Sequence, residues 1–387
     1  MNFELTEDQN AYREAAEEFA AKEMAPHAAE WDAEQIFPKD VLRAAGELGF
    51  CGLYSPEKAG GLGLSRLDSS IVFEALCTKG DTSTSAFLTI HNMATWMATA
   101  FGQDEMVEEW GEKLTSGQAL ASYCLTESGA GSDASSLKTT ARKDGDHYIL
   151  NGGKQFSSGA GDTEALVVMA RTGEDGPRGI TCFLVPGDTD GVSYGKKEEK
   201  MGWNSQPTRA ITFEDAKIPA TYRIGEEGEG FKFAMMGLDG GRINIGVCSV
   251  GTAQAAMETT RDYLHERKQF GQAIADFQAT QFKFADMATE LTAARQMIRL
   301  AASKLDNKAP EATSFCAMAK RFATDACFNV VNDALQLHGG YGYIKEYPLE
   351  RMVRDLRVHQ ILEGTNEIMR MIIARRLLAD GALEQIK

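Results

Sequence analysis

The stretch TTARKDGDHYILNG, residues 139–152, reads as two extended runs folded back on each other at Asp144-Gly145. A DG pair between β-branched and aromatic positions is the residue choice of a tight hairpin turn. Outward from it, ASYCLT (121–126), ALVVMAR (165–171), GITCFLV (179–185) and RAITFED (209–215) are equally short runs bounded by turn residues. Residues 121–227 are therefore expected to form a small β-domain of five or more strands. On both sides the apolar period changes from two residues to 3.6. Upstream, Thr6 and Gln9 have capping-box spacing, and Tyr12, Ala16, Phe19 and Ala20 fall on one helical face. Pro38 is expected as the first residue of a helix PKDVLRAAGELGF, followed by a helical SSIVFEALC (69–77) and a segment 86–101 that is apolar nearly all round. Downstream, residues 251–269, 279–305 and 311–338 carry helical periodicity long enough for an antiparallel bundle. The expected fold is α+β, mainly α, with an N-terminal helical domain (1–120), a middle β-domain (121–227) and a C-terminal helical bundle (228–387). Strands and helices do not alternate, which excludes a Rossmann sheet, so any nucleotide must bind in another way.

With 387 residues, 43% of them hydrophobic, the chain has material for two or three packed layers or domains. A formal net charge of −16 without a basic cluster would repel nucleic acid and anionic membranes, so neither is an expected partner. An anionic ligand has to be held locally, by backbone amides and a few placed arginines. No uninterrupted apolar run approaches the ~20 residues of a membrane helix, and MNFELTEDQN is acidic and polar, unlike a signal or transit peptide. The expected compartment is the cytoplasm, or the mitochondrial matrix if a presequence has been removed. The seven scattered cysteines, never in a C-x-x-C pair, are expected as reduced core residues, and no metal site is expected.

Several segments could carry chemistry. In HQILEGTNEIMR (359–370), Glu363 follows Ile361 and Leu362 and precedes Gly364, where apolar neighbours would withhold water and raise a carboxylate's pKa toward that of a working base. By itself it reads more readily as a solvated loop charge. YCLTESGAGSDASS (123–136) can turn several N–H groups toward one anion, or be a flexible turn. RKQFG (267–271) is either a helix stop or a phosphate contact. QLHGGYGY (336–343) is either a C-cap or the bed of a flat ligand, and His338 alone reads as a hydrogen-bonded core or turn residue. DGGRINIG (239–246) places Arg242 just inside a new helix behind two glycines, and FSSGA (156–160) is a strand end with paired hydroxyls.

Together, in this order and at these separations, the segments resemble the acyl-CoA dehydrogenase flavoproteins. YCLTESGAGSD is similar to the family's first signature, and QLHGGYGY with HQILEGTNEIMR to its second. The resemblance covers almost the whole chain and implies a β-barrel-like middle domain between the helical ones. It implies FAD as cofactor, with Tyr123, Cys124, Leu125, Thr126, Gly131 and Ser132, and Phe156, Ser157 and Ser158, near the flavin. Arg267, Phe277 and Gln278 match contacts to the pyrophosphate, ribityl and adenine parts, as do Gln336, Leu337, His338, Gly339 and Gly340, and Thr365, Asn366 and Glu367. Some of these would come from a neighbouring subunit of a homotetramer, a dimer of dimers. Ser132, Asp239, Arg242, Gly364 and Arg375 match positions that meet the acyl-CoA. Glu363 matches the base that removes an α-proton. In some branches the base instead stands just before the arginine corresponding to Arg242, but here that residue is Gly241.

Segments such as GWNSQPTRAITFED and GGRINIG are most similar to the branch acting in valine degradation. That implies isobutyryl-CoA as substrate and methacrylyl-CoA as product, with 2-methylbutyryl-CoA or butyryl-CoA as alternatives and electron-transferring flavoprotein as electron acceptor. Residues 86–96 with Gly342-Tyr343 are expected to shape the acyl pocket. Rival readings are an oxidase and a flavin-bearing binding or electron-transfer module that does not dehydrogenate, against which the intact Glu363 argues.

Overall fold

The computed structural model describes residues 4–379 and 382–386. Thr6 caps helix α1 (Glu7–Phe19) by the anticipated reciprocal pair: its Oγ1 accepts from the Gln9 N–H at 3.2 Å, and Gln9 Oε1 accepts from the Thr6 N–H at 3.1 Å. Ala16 and Phe19 are buried, and the chain continues through a π turn, Ala20–Met24. Then come α2 (Ala28–Glu34), α3 (Lys39–Glu47), α4 (Arg66–Lys79), α5 (Thr82–Phe101) and α6 (Asp104–Thr115). Pro38 stands one residue outside α3 rather than inside it, because its ψ of 67° is not helical.

The strands are β1 (Ala121–Cys124), β2 (Thr140–Asp144), β3 (His147–Ser158), β4 (Ala165–Arg171), β5 (Ile180–Pro186), β6 (Val192–Tyr194), β7 (Thr208–Pro219) and β8 (Arg223–Ile224). They form one sheet in the order β6-β7-β3-β2-β4-β5-β8, with β1 added in parallel on β4. In the hairpin of β2 and β3, Asp144 still pairs with His147, so the two-residue loop is Gly145-Asp146, one position later than expected. The positive φ of 63° at Gly145 is what a glycine-first hairpin turn requires. A register shift between Lys154 and Ser157 bends the end of β3 and leaves Phe156 at φ 57°, 64% exposed, with Ser157 turned inward and buried.

The bundle is built on α7 (Gly230–Glu266), 37 residues and so about 55 Å long. After it come a hairpin of β9 (Lys268–Gln269) and β10 (Gln272–Ala273), then α8 (Gln278–Asp306), α9 (Ala312–Leu337), α10 (Leu349–Arg357) and α11 (Asn366–Leu377). DGGRINIG is therefore not a helix start. Its glycines sit inside α7 because side chains crowd the helix there: a Cβ at Gly240 would lie 2.5 Å from Arg66 Nη1, and one at Gly241 would lie 2.5 Å from Glu363 Oε2.

The two helical stretches share one core, in which Phe73 and Leu76 of α4 join Val247 and Val250 of α7, Leu291 of α8 and Val331 of α9. A second core joins the sheet to α5, α6 and the start of α7. All seven cysteines are buried and unpaired. Among the described residues, no helix is long and apolar enough to cross a membrane.

Candidate active site

After α10 the chain makes a 3₁₀ turn at Val358–Gln360 that fixes His359 in the interior. Trp203 Nε1 donates to His359 Nε2 at 3.1 Å, so the other ring nitrogen faces Ser249 Oγ, 2.8 Å away, as donor. Burial pushes this histidine's pKa down to about 3, and the ring is a neutral anchor. Four residues later Glu363 and Gly364 adopt φ of 56° and 85°, two successive left-handed residues. A glutamate held there costs about 1–2 kcal/mol, which packing on both sides must offset. The turn lays the carboxylate against Gly241 of α7, where Oε2 is buried without a hydrogen-bond partner. Thr365 then caps α11, its hydroxyl accepting from the Ile368 N–H.

Burial raises the Glu363 pKa to about 7, against the opposing pull of Arg242 and Lys320. Arg242, 5% exposed, donates from Nη1 to Asp239 Oδ1 at 2.6 Å, and Asp239 Oδ2 accepts from Thr313 at 2.7 Å. The Arg242 Nε and the Tyr123 hydroxyl are buried and without partners. Burial, and after it the Glu363 charge, push the Tyr123 phenol up. Next to this group the Arg66 guanidinium lies 3.5 Å over the Tyr54 ring and 4.9 Å from that of Trp96. The site thus holds a carboxylate of near-neutral pKa facing unpartnered donors.

The loop after β1 is fixed from beneath by a buried ion pair. Lys154 Nζ donates to Glu127 Oε1 at 2.7 Å and to the Leu125 carbonyl at 3.2 Å, while Glu127 accepts from the N–H groups of Lys138 and Thr139. Above that anchor, a Cβ at Gly129 or Gly131 would meet nothing within 4 Å. At the far end of α9 a separate cavity of ≈ 440 Å³ is lined by residues including Arg267, Gln336, Leu337, His338, Gly339 and Gly340. His338 Nδ1 donates to the Ala334 carbonyl and its ring stacks on Tyr263, leaving Nε2 buried and unpartnered. Gln336 lies sixteen residues beyond Lys320 on α9, about 24 Å along the helix.

The chain matches the N-terminal domain of acyl-CoA dehydrogenases over residues 6–118, the middle domain over 122–216 and the C-terminal domain over 228–378. It is 57% identical to mitochondrial isobutyryl-CoA dehydrogenase of Dictyostelium discoideum over 377 residues, 97% of this chain and 90% of that protein. It is 55% identical to the Bos taurus enzyme of the same name, again over 97% and 90%. The chain belongs to the acyl-CoA dehydrogenase family. Among solved structures, butyryl-CoA dehydrogenase from Megasphaera elsdenii superposes with a TM-score of 0.94 at 38% identity, covering 98% of this chain and 100% of that one.

Acyl-CoA dehydrogenases are FAD-dependent oxidoreductases, and the residues present here fit the cofactor. Space stands open beside Gly129, Gly131, Gly339 and Gly340, and unpartnered buried polar atoms remain on Tyr123, Ser157 and His338. The residues expected from the sequence fall into two groups within one chain. Tyr123, Asp239, Arg242, Glu363 and Gly364 gather at the carboxylate, while Arg267 and residues 336–340 line the distant cavity. Phe277 and Gln278 begin α8 near the latter, Phe277 edge-on to Phe270. Gly342 packs on Leu335 and His338, so Gly342-Tyr343 belongs to that end of α9 rather than beside Glu363.

Cys124 and Leu125 lie in the β-domain core, which leaves only their backbones free for a ligand, and the Thr126 carbonyl accepts from the Gln155 N–H. The Ser158 carbonyl accepts from the Ser122 hydroxyl. Ser132, Glu367 and Arg375 are exposed. Asn366 differs from the expectation most: its side chain is buried and bonded to Lys320, Thr324 and Asp325. Sequence reasoning missed Lys320, Tyr54 and Arg66. Lys320 had a visible signal, since it occupies a core position of the stripe Cys316, Lys320, Ala323, Cys327.

Proposed function

We propose that this protein oxidises isobutyryl-CoA to methacrylyl-CoA, with Glu363 as the base, FAD as the oxidant and electron-transferring flavoprotein as the next acceptor. The observation that carries the chemistry is the Glu363 carboxyl, its Oε2 buried and unpartnered against Gly241, with a pKa near 7. The 57% and 55% identities to isobutyryl-CoA dehydrogenases support the substrate. The α-proton of a thioester is too weakly acidic for a solvated carboxylate, so its removal needs a base freed from hydration and a polarised carbonyl. Glu363 Oε2 takes that proton, and the Glu363 backbone N–H donates to the thioester oxygen. Arg242, held by Asp239, and Gly364 border the acyl-CoA, and substrate entering beside the carboxylate expels water and strengthens the base. FAD, when bound, would supply the acceptor for the hydride of the β-carbon.

Tyr123, Gly131, Ser132 and residues 156–158 would hold the flavin end, and Arg267 with residues 336–340 the phosphate and adenine end. Lys320, beside Glu363, and Gln336, in the second group, stand roughly 24 Å apart along α9, a separation that supports a cofactor shared between subunits of a homotetramer. The compartment proposed is the bacterial cytoplasm or the mitochondrial matrix.

A kcat/KM panel of short straight and α-branched acyl-CoAs, read with an artificial electron acceptor, tests the substrate. Isobutyryl-CoA is expected to lead 2-methylbutyryl-CoA, one methylene larger, by about tenfold or more, since a pocket discriminates ~1–3 kcal/mol per methylene, and to lead its straight-chain isomer butyryl-CoA through the shape of the branch. Dominance of butyryl-CoA would remove the branched-chain assignment and leave the reaction class standing.

A further inference from the structure

Lys320 of α9 is completely buried, an unusual and costly position for an ammonium. Both of its hydrogen-bond acceptors belong to the segment that carries the base: the Gly364 carbonyl at 2.9 Å and Asn366 Oδ1 at 2.9 Å. Asn366 is in turn tied to α9 by Nδ2, which donates to Thr324 Oγ1 at 2.9 Å and Asp325 Oδ1 at 2.7 Å. The two left-handed residues Glu363 and Gly364 are thus gripped immediately on their C-terminal side, while His359 anchors the N-terminal side.

We infer that Lys320 is a positioning residue for Glu363, holding the left-handed turn so that the carboxylate stays against Gly241 and supplying a buried positive charge beside it. This rests on the proposed role of Glu363 as base. A glutamine amide also carries two N–H donors, on a stem one bond shorter, but only a cation both serves the acceptors and favours the ionised base. The charged and titratable groups around the pair are Arg242 of α7, Asp325 of α9, Glu367 of α11, His359 of the turn after α10, and the phenols of Tyr123 and Tyr54. Two cations, Arg242 and Lys320, oppose the effect of burial on Glu363. Arg242 is already committed to Asp239, at 2.6 Å, and Lys320 reaches no carboxylate within ion-pairing distance among the described contacts. Burial also brings the Lys320 ammonium down to about 8, so its charge is lost as pH rises through that value.

The experiment compares K320M, K320Q and K320R with wild-type holoenzyme by FAD content, thermal midpoint, the pH profile of kcat/KM for isobutyryl-CoA, and infrared titration of the carboxyl band that E363Q removes. K320M and K320Q are expected to keep FAD, to lose about 10–100-fold in kcat through a displaced base, and to move both the kinetic limb and the infrared titration up by about one pH unit. K320R, which keeps the charge, is expected to return both toward the wild-type position. A neutral variant that retains FAD with kcat within twofold of wild type and both titrations unmoved overturns the inference. Loss of FAD or of the folded state in both neutral variants overturns it too, by showing a purely structural lysine. E363Q separates this from the reading beneath it: turnover by E363Q removes the base assignment itself, whereas an inactive E363Q beside an unshifted K320M removes only the role of Lys320.

Discussion

Glu363→Gln is expected to lower kcat/KM for isobutyryl-CoA by roughly 10²–10⁴-fold, the usual contribution of a positioned general base, while FAD content and acyl-CoA binding stay as in the wild type. The amide has nearly the shape of the carboxylate, so it keeps the place against Gly241 and the left-handed turn at 363–364. What it removes is the ability to accept a proton. Anaerobic mixing of the yellow holoenzyme with substrate reads this directly, because bleaching requires the α-proton to leave. Bleaching by E363Q at near the wild-type rate would show that another group does the work.

Gly241→Ala is expected to be nearly as damaging to turnover and, like Glu363→Gln, to leave the fold intact. Its Cβ would stand 2.5 Å from Glu363 Oε2 and 2.8 Å from its Cδ, closer than such atoms ever approach. The obstructing atoms are the free end of a side chain, so the carboxylate can swing aside, and alanine suits a helix interior better than glycine by about 1 kcal/mol. Displacing a reacting group by about 1 Å can cost roughly 10²-fold in rate. A thermal midpoint at or above wild type, FAD retained and kcat down by about that factor is the expected pattern; wild-type kcat would mean the carboxylate does not need this niche. The same geometry explains why an acid at position 241 and one at 363 would compete for one space.

Much of the fold was legible because its signals are local. The Thr6–Gln9 cap, the strands around 139–152 and the glycines after α9 each rest on near-neighbour geometry, and each appears as its residues suggest, apart from the hairpin turn, which sits one residue later. The readings that shifted depended on distant parts of the chain. Gly240 and Gly241 resemble the opening of a helix until Arg66 and Glu363 are seen pressing on α7 from other segments. Asn366 looks like a polar residue offered to a ligand, yet three α9 side chains, Lys320, Thr324 and Asp325, consume its hydrogen bonds. Arg66 is placed by stacking on Tyr54 and Trp96, and no spacing within its own helix announces that. Glu363 lay between: its apolar neighbours hinted at burial, but Gly241 and the two opposing cations become visible only in three dimensions.

The most direct test of a dehydrated carboxylate drawing off the α-proton is stopped-flow flavin bleaching at limiting isobutyryl-CoA, with the α-hydrogen as protium or deuterium, across the neutral range. The second-order rate reports the free enzyme's base, which is idle when protonated. The rate is therefore expected to climb with pH through about 7, where Glu363 titrates, to level off above it, and to show a primary isotope effect from α-deuterium. A rate that is flat in pH across that span and indifferent to the α-deuterium would contradict the account.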